Sequence, residues 1–237
     1  MKWKILDTGK QSAKKNMAID AKLLEEMKPD DPPILHLYEW EGNAATYGYF
    51  LDPKKFLDVE KGESLGLSLA RRPTGGGIIF HISDLAFSVL VPANFPHYST
   101  NILDNYDFIN SAVKRGVKIF FENAESLTLL PYEPTPFDES CCHFCMAKPT
   151  KYDIMLEGRK IAGAAQRRRK QGYLHQGSIA ITLPEENFLN QVLLEGTQVH
   201  KAMLTHTFSL LGKDWTQKDL EEVRETLKHQ LQEELTQ

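Results

Sequence analysis

Residues 71–81 read Arg71-Arg72-Pro73-Thr74-Gly75-Gly76-Gly77-Ile78-Ile79-Phe80-His81. A Gly-Gly-Gly run by itself reads as a hairpin turn. Glycine also lets the backbone take positive φ and lets a ligand approach the main chain. With Arg71, Arg72 and Thr74 before it and His81 after it, the run suits an anion. Backbone N–H groups and a hydroxyl donate, and guanidinium supplies counter-charge. The familiar phosphate loops do not fit. There is no Gly-Lys-Ser/Thr ending and no G-x-G-x-x-G, and the residues after the glycines read as a strand rather than a helix.

Cysteines form the second group. Cys141, Cys142 and Cys145 lie close together and are the three in the chain. Cys142-His-Phe-Cys145 has C-x-x-C spacing, but zinc normally needs four ligands, usually from two such pairs, and no second pair exists. A thioredoxin-type motif should open a helix after a strand, whereas this one precedes Pro149. A single nucleophilic cysteine is a third reading. It needs a lowered thiol pKa and hence a nearby cation, for which Lys160 is a candidate. A buried, inert cysteine fits these residues as well.

The elements that must position these groups can be read from periodicity. Leu65, Leu67 and Leu69 alternate with small residues, predicting a strand over 65–70 before the glycines. Ile78–Phe80 and Leu85–Val91 predict strands after them. Trp3–Leu6, Ile34–Tyr38 and Ala44–Phe50 are further strand candidates. Gln11–Met27 is predicted helical, with Ser12 as cap and Met17, Ala18, Ala21, Leu23 and Leu24 as its apolar stripe. Lys54–Glu60 predicts a short helix. Ile109, Val113, Val117 and Phe120 predict an amphipathic helix over 103–121. Residues 122–150 are proline-rich and irregular. Glu157-Gly158 joins Tyr152–Leu156 to Arg159–Ala162 as a hairpin, which carries Lys160 on its far strand. Gly163-Ala-Ala-Gln166 is small and flat, Arg167–Gly172 reads as a basic loop, and Tyr173–Thr182 returns as a strand. Leu220, Val223, Leu227, Leu231 and Leu235 predict an amphipathic helix over about 216–235 that packs on the body.

The chain has 237 residues, 41% of them hydrophobic, and a net charge of −4. That is enough for one sizeable core, and with no linker-like stretch or internal repeat it predicts a single domain over 1–237. The acidic balance argues against a general nucleic-acid binder. No signal-peptide pattern and no apolar run of membrane-spanning length is evident. The clustered, odd-numbered cysteines predict a reducing, cytoplasmic protein.

The segments Arg71-Arg-Pro-Thr-Gly-Gly-Gly-x-x-x-His81 with Asp84-Leu-Ala-Phe-Ser88, and Lys160-Ile-Ala-Gly-Ala-Ala-Gln166 with His175-Gln-Gly-Ser-Ile179, resemble the signature of the lipoate-protein ligase and octanoyltransferase family. So do Asn16-Met-Ala-Ile-Asp20 and Thr46-Tyr-Gly-Tyr-Phe50. The resemblance spans residues 1 to roughly 183. It implies an α/β (α+β) fold, the mixed-sheet biotin/lipoyl ligase catalytic domain with flanking helices. It implies that Arg72, Thr74, Gly75, Gly76, Gly77, Ile78, Ile79, Phe80 and His81, with Asp153, Gly163 and His175, bind an acyl group or its adenylate. Lys160 would touch the acyl carbonyl or phosphate, where an ammonium stabilises developing oxyanion charge.

Two mechanisms share that family. A ligase activates lipoate with ATP and magnesium through an acyl-adenylate. A Cys-type octanoyltransferase takes octanoate from acyl carrier protein as a thioester and needs no tightly bound cofactor. Cys145-x-x-x-Pro149-Thr-x-Tyr152-Asp153 resembles the transferase segment, which makes Cys145 and Lys160 the catalytic pair; Met146 departs from it, and the triple glycine is more typical of ligases. Ligases usually carry Asn-Asp where this chain has Tyr152-Asp153, and many have a further C-terminal domain for which this chain has room only for one helix. The acceptors implied are lysines of lipoyl domains of 2-oxoacid dehydrogenases and of a glycine-cleavage H-type protein. Arg167–Lys170 would meet an acidic carrier surface. No metal, nucleic acid or membrane is implied.

Overall fold

The computed structural model describes residues 2–121, 127–212 and 214–236. Its frame is two sheets packed face to face, with the helix Ala13–Glu26 beside the smaller sheet on one face of the larger sheet and the helices Ile102–Val117 and Gln217–Thr236 on the other. The strands are β1 (Lys4–Gln11), β2 (Ile34–Trp40), β3 (Ala44–Tyr47), β4 (Ser68–Arg71), β5 (Ile78–His81), β6 (Asp84–Pro92), β7 (Leu127–Leu129), β8 (Ile154–Leu156), β9 (Arg159–Arg169) and β10 (Gly172–Ala180). The larger sheet runs β1-β2-β6-β10-β9-β8-β7 and the smaller β4-β3-β5. Pairing is antiparallel except for β1 with β2 and β3 with β4.

Strict alternation sorts the large sheet's side chains. Leu35 and Leu37 of β2, Leu85, Phe87, Val89 and Val91 of β6, and Tyr173 and Ile179 of β10 form one apolar core with helices α3 (Ile102–Val117) and α6 (Gln217–Thr236). Each such fully buried side chain contributes on the order of 2 kcal/mol. The intervening residues face the small sheet and helix α1 (Ala13–Glu26), and they are polar where they line up. His36, Ser88, Gln176 and Ala165 occupy successive registers across β2, β6, β10 and β9. Gly177, on the core face, has no room for a Cβ because the Phe87 ring fills that space.

Helix α1 starts after Ser12, whose hydroxyl accepts from Lys15 N as expected. Its buried face is Ala13, Asn16, Met17, Asp20 and Leu24, rotated from the apolar stripe read in the sequence; Ala18 and Ala21 are exposed. The rotation buries two polar residues because both have partners. Asn16 donates to Glu39 O, and Asp20 receives His36, Ser88 and Gln176.

Other expectations shift. The helix read at 54–60 is a 3-10 turn at Pro53–Lys55 followed by α2 (Val59–Ser64), which Asp58 caps through Lys61 N. The strand read at 65–70 begins only at Ser68, because Gly66 turns the chain at φ +80°. The basic loop is no loop: Arg167–Arg169 end β9, and Arg168 and Arg169 pair with Tyr173 and Gly172. The irregular 122–150 segment contains the edge strand β7 and a 3-10 turn at Ser140–His143; residues 122–126 of it lie outside the described residues. Helices α4 (Glu186–Val192) and α5 (Val199–His206) carried no reading in the sequence. The Glu157-Gly158 hairpin stands as expected, with φ of 51° and 75° at its corner.

Candidate active site

The glycine run crosses from β4 to β5, and its second and third members are glycine for different reasons. Gly76 sits at φ +92°, and a Cβ there would meet the Arg72 guanidinium. A Cβ on Gly77 would run into the backbone carbonyl of His143. Gly75 faces open space. The loop therefore lies flush against the cysteine segment. Cys145 N donates to Ile78 O at 2.8 Å, and Phe144 bridges to Ile78 in parallel register. Cys145 is thus placed by an extra rung on β5.

Arg72 is 5% exposed, and its guanidinium ties the loop together. It donates to Gly75 O (3.1 and 2.8 Å) and to Thr46 O and Oγ1 (both 3.3 Å), and it faces Cys145 Sγ at 3.8 Å. Among the described residues it has no carboxylate partner. A buried cation without an anion is costly unless a charge is supplied to it, and the side chain that faces it from the cysteine segment is Cys145. Thr46 Oγ1 also bonds His81 Nε2 (2.9 Å), whose Nδ1 bonds Asp84 Oδ2 (2.7 Å) while the ring stacks on Trp40.

Lys160 sits across the cavity. Its Nζ is 2.7 Å from Asp153 Oδ2 and donates to Cys145 O at 2.9 Å; both side chains are almost fully buried. Burial pushes the Asp153 carboxyl up, against the pull of Lys160 and of the Thr150 N–H and hydroxyl, which also bond it. Gly163 must be glycine, because a Cβ would displace both Asp153 Oδ1 and the end of Lys160. A segment unread in the sequence clamps this corner. Thr207 bridges to Lys160 and donates to Met146 O (2.7 Å), and Phe208 N donates to Lys160 O (2.8 Å).

These groups line one cavity of about 250 Å³. Of the residues the sequence pointed to, Arg72, Gly76, Gly77, Ile79, His81, Cys145, Lys160 and Gly163 line it. Thr74, Gly75, Ile78, Phe80 and Asp153 lie behind that lining. Thr74 donates to Gln176 Oε1 (2.7 Å), which continues through Asp20 and His36 to Thr8. Ile78 and Phe80 pack into the core of the small sheet. His175 is not brought to the cavity. It lies on the helix-covered face of β10, beside Phe87 and Tyr106, and burial pulls its pKa down to about 3. Gln166 donates to its Nδ1, which leaves the proton on Nε2. The alternation of His175-Gln176-Gly177-Ser178 explains the misplacement: Gln176 and Ser178 face the cavity in its stead. Tyr38, Thr46 and Met17 also line it; Met17 and Thr46 lie in segments that carry the family resemblance, while Tyr38 is revealed only by the partnership of α1, β2 and β3 in space.

Cys142 is exposed and Cys141 buried, and burial pushes the Cys141 thiol up to about 11. Among the described residues no group of three or more His, Cys, Asp or Glu could hold a metal ion, and no helix is long and apolar enough to cross a membrane. A thiol beside a guanidinium, an ammonium across from it and a mostly small-residue floor make an arrangement suited to covalent acyl chemistry.

Known proteins resemble this chain along nearly its whole length. Residues 12–231 match the lipoyl protein ligase A/B catalytic domain. The octanoyltransferase LipM of Lysinibacillus sphaericus is 32% identical over 197 residues, 79% of this chain and 69% of that protein. LipM of Bacillus subtilis is 30% identical over 203 residues, 85% of this chain and 73% of that protein. The chain spans about two thirds of the length of the curated relatives it matches. Among solved structures, a bipartite lipoate protein ligase studied with its E2 lipoyl domain, from Thermoplasma acidophilum, aligns with a TM-score of 0.73 at 22% identity, covering 99% of this chain and 84% of that one. That likeness is one of fold. By the domain match and by its identity to these relatives, the chain belongs to the lipoyl protein ligase A/B catalytic domain family.

Proposed function

We propose that this chain is a protein octanoyltransferase, working as a single catalytic domain, that moves an octanoyl group from acyl carrier protein to a lysine of lipoyl domains by way of a Cys145 thioester. The observation that carries the reading is Cys145 Sγ, 3.8 Å from the buried Arg72 guanidinium that no carboxylate neutralises among the described residues. A fixed cation there can stabilise negative charge that develops on the sulfur during the reaction. The relatives at about 30% identity are named octanoyltransferases, and the archaeal ligase was studied with its E2 lipoyl domain.

In the first half-reaction the Cys145 sulfur attacks the donor's thioester carbonyl. A C–S bond to Cys145 forms, the donor's C–S bond breaks, and the proton given up by the Cys145 thiol passes to the donor sulfur, which leaves as a thiol. Lys160 uses two of its three N–H bonds on Asp153 and Cys145 O. The third is available to the acyl oxygen as charge develops on it. In the second half-reaction the acceptor lysine amine attacks the acyl-enzyme. An amide forms, the Cys145 C–S bond breaks, and the amine proton passes to the departing sulfur. Arg72 serves both halves, since negative charge develops on the sulfur as it attacks in one and as it departs in the other.

Lipoyl domains of 2-oxoacid dehydrogenases and a glycine-cleavage H-type protein are the acceptors in this reading, and acyl carrier protein is the donor. No nucleotide or metal is needed. The three free cysteines agree with a reducing, cytoplasmic setting. The test runs wild type and Cys145→Ser with two donor sets: octanoyl-acyl carrier protein alone, and lipoate with ATP and magnesium. Octanoyl transfer by wild type and none by Cys145→Ser is the expected result. Lipoylation by Cys145→Ser with ATP would replace this reading by a lipoate-protein ligase.

A further inference from the structure

A groove of about 750 Å³ opens beside the cavity and shares Met17 and Arg72 with it. Its walls carry Lys14, Arg71, Arg167 and Arg169 in addition to Arg72, against one carboxylate, Glu25. The chain as a whole is acidic, with 32 Asp and Glu against 28 Lys and Arg. Yet among the described residues none of these cations forms an ion pair. Arg71 and Arg167 both stand over the Tyr49 ring, their guanidinium carbons 4.8 and 4.6 Å from its centroid. Arg167 is further fixed by donating to Pro73 O at 2.7 Å. The Tyr49 ring holds each guanidinium by a cation–π contact, and two cations gathered at one ring without a carboxylate partner form a region that an anion would stabilise.

From this we infer that the groove binds the phosphodiester of a phosphopantetheine arm, the group on which an acyl carrier protein presents its thioester. The inference rests on the thioester reading for its choice of donor. The placement suits such an arm, because Arg72 lines both the groove and the cavity and faces Cys145 Sγ. The groove carries guanidinium groups that make no ion pair among the described residues. Guanidinium is the donor suited to phosphate because its planar fork gives two parallel hydrogen bonds.

The experiment uses the full chain, as wild type and as Arg71→Gln/Arg169→Gln, two exposed changes that leave the Arg167 bond to Pro73 in place. Calorimetry compares 4′-phosphopantetheine with pantetheine, which needs no chemistry. Acyl-enzyme formation is then followed by mass, with octanoyl-pantetheine and octanoyl-acyl carrier protein as donors. Wild type is expected to bind the phosphorylated compound at least about tenfold more tightly, as for a charge-assisted pair, and the double variant to lose that preference. The variant's KM for octanoyl-acyl carrier protein should rise by a similar factor, with its rate on octanoyl-pantetheine unchanged. Equal binding of the two compounds by wild type overturns the inference, and so does a phosphate preference that survives in the variant. A variant that forms acyl-enzyme normally but passes it poorly to lipoyl domain assigns the groove to the acceptor instead. Phosphate-dependent binding in a wild type that never forms acyl-enzyme would leave the groove standing and remove the transfer reading.

Discussion

Replacing Lys160 by Met separates what its ammonium does for the fold from what it does for the reaction. The methionine fills most of the same space but leaves the Asp153 carboxylate buried with no cation 2.7 Å away, and leaves Cys145 O without its 2.9 Å donor. Breaking a buried pair from one side costs about 3–5 kcal/mol, and the orphaned carbonyl adds about 1–3 kcal/mol. Protonation of Asp153 limits the first cost. Its carboxyl is already pushed up by burial and loses the cation that opposes the push. The destabilisation of Lys160→Met therefore shrinks as pH falls. Lys160→Met/Asp153→Asn removes the stranded charge and keeps an acceptor for Thr150 N, so it should recover about 2 kcal/mol or more at alkaline pH with little pH dependence. Urea unfolding at several pH values measures both effects, and octanoyl transfer measures the chemistry. The double variant should be stable yet inactive. A Lys160→Met loss under about 1 kcal/mol, or a double variant no more stable than the single, refutes the buried-pair reasoning. A double variant that transfers at the wild-type rate refutes the role given to the ammonium.

Gly75→Ala has open space for its methyl, whereas Gly77→Ala meets the His143 carbonyl; the first should keep acyl-enzyme formation within about twofold and the second should lose at least about tenfold of it by displacing the Cys145 segment, as single-turnover mass spectrometry would register. His175, held neutral with a pKa of about 3, leaves proton uptake to the unfolded chain below the ordinary value of about 6.5. Stability should thus fall by about 2 kcal/mol between about pH 7.5 and about pH 5 on its account, and His175→Leu should remove that part of the acid sensitivity; identical pH profiles for the two proteins in urea would contradict this. Tyr152 adopts φ +70°, a left-handed conformation that is strained for a side chain of its size. Tyr152→Asn should raise the urea midpoint by the equivalent of about 1 kcal/mol, and a lowered midpoint would mean that its ring contacts outweigh the strain.

The chemistry is more legible in the sequence than the geometry that organises it. The glycine run stands out by residue type, Cys145 and Lys160 are singled out as a pair by the resemblance to the transferase segment, and the hairpin that carries Lys160 can be read from Glu157-Gly158 alone. What local pattern cannot give is which elements meet. The Cys145 segment docks on β5 through Ile78, and Thr207, far along the chain, clamps both Lys160 and Met146. Facing is a second limit. His175 and Gln176 are adjacent in sequence, and their sheet faces are opposite; with polar residues on both faces of β10, alternation does not say which side holds the ligand. The cation beside the sulfur illustrates both limits. Nearness in sequence points to Lys160, yet its ammonium is engaged by Asp153 and a carbonyl, and the group facing Cys145 Sγ is Arg72.

The most direct test of the account is an intact-mass spectrum of the protein incubated with octanoyl-acyl carrier protein in the absence of ATP, followed by peptide mapping and a chase with lipoyl domain. The account predicts one added octanoyl group, located on Cys145, that disappears as octanoylated lipoyl domain appears. An unmodified protein, or one acylated elsewhere, together with lipoylation of the domain that requires only ATP, magnesium and free lipoate, would contradict it.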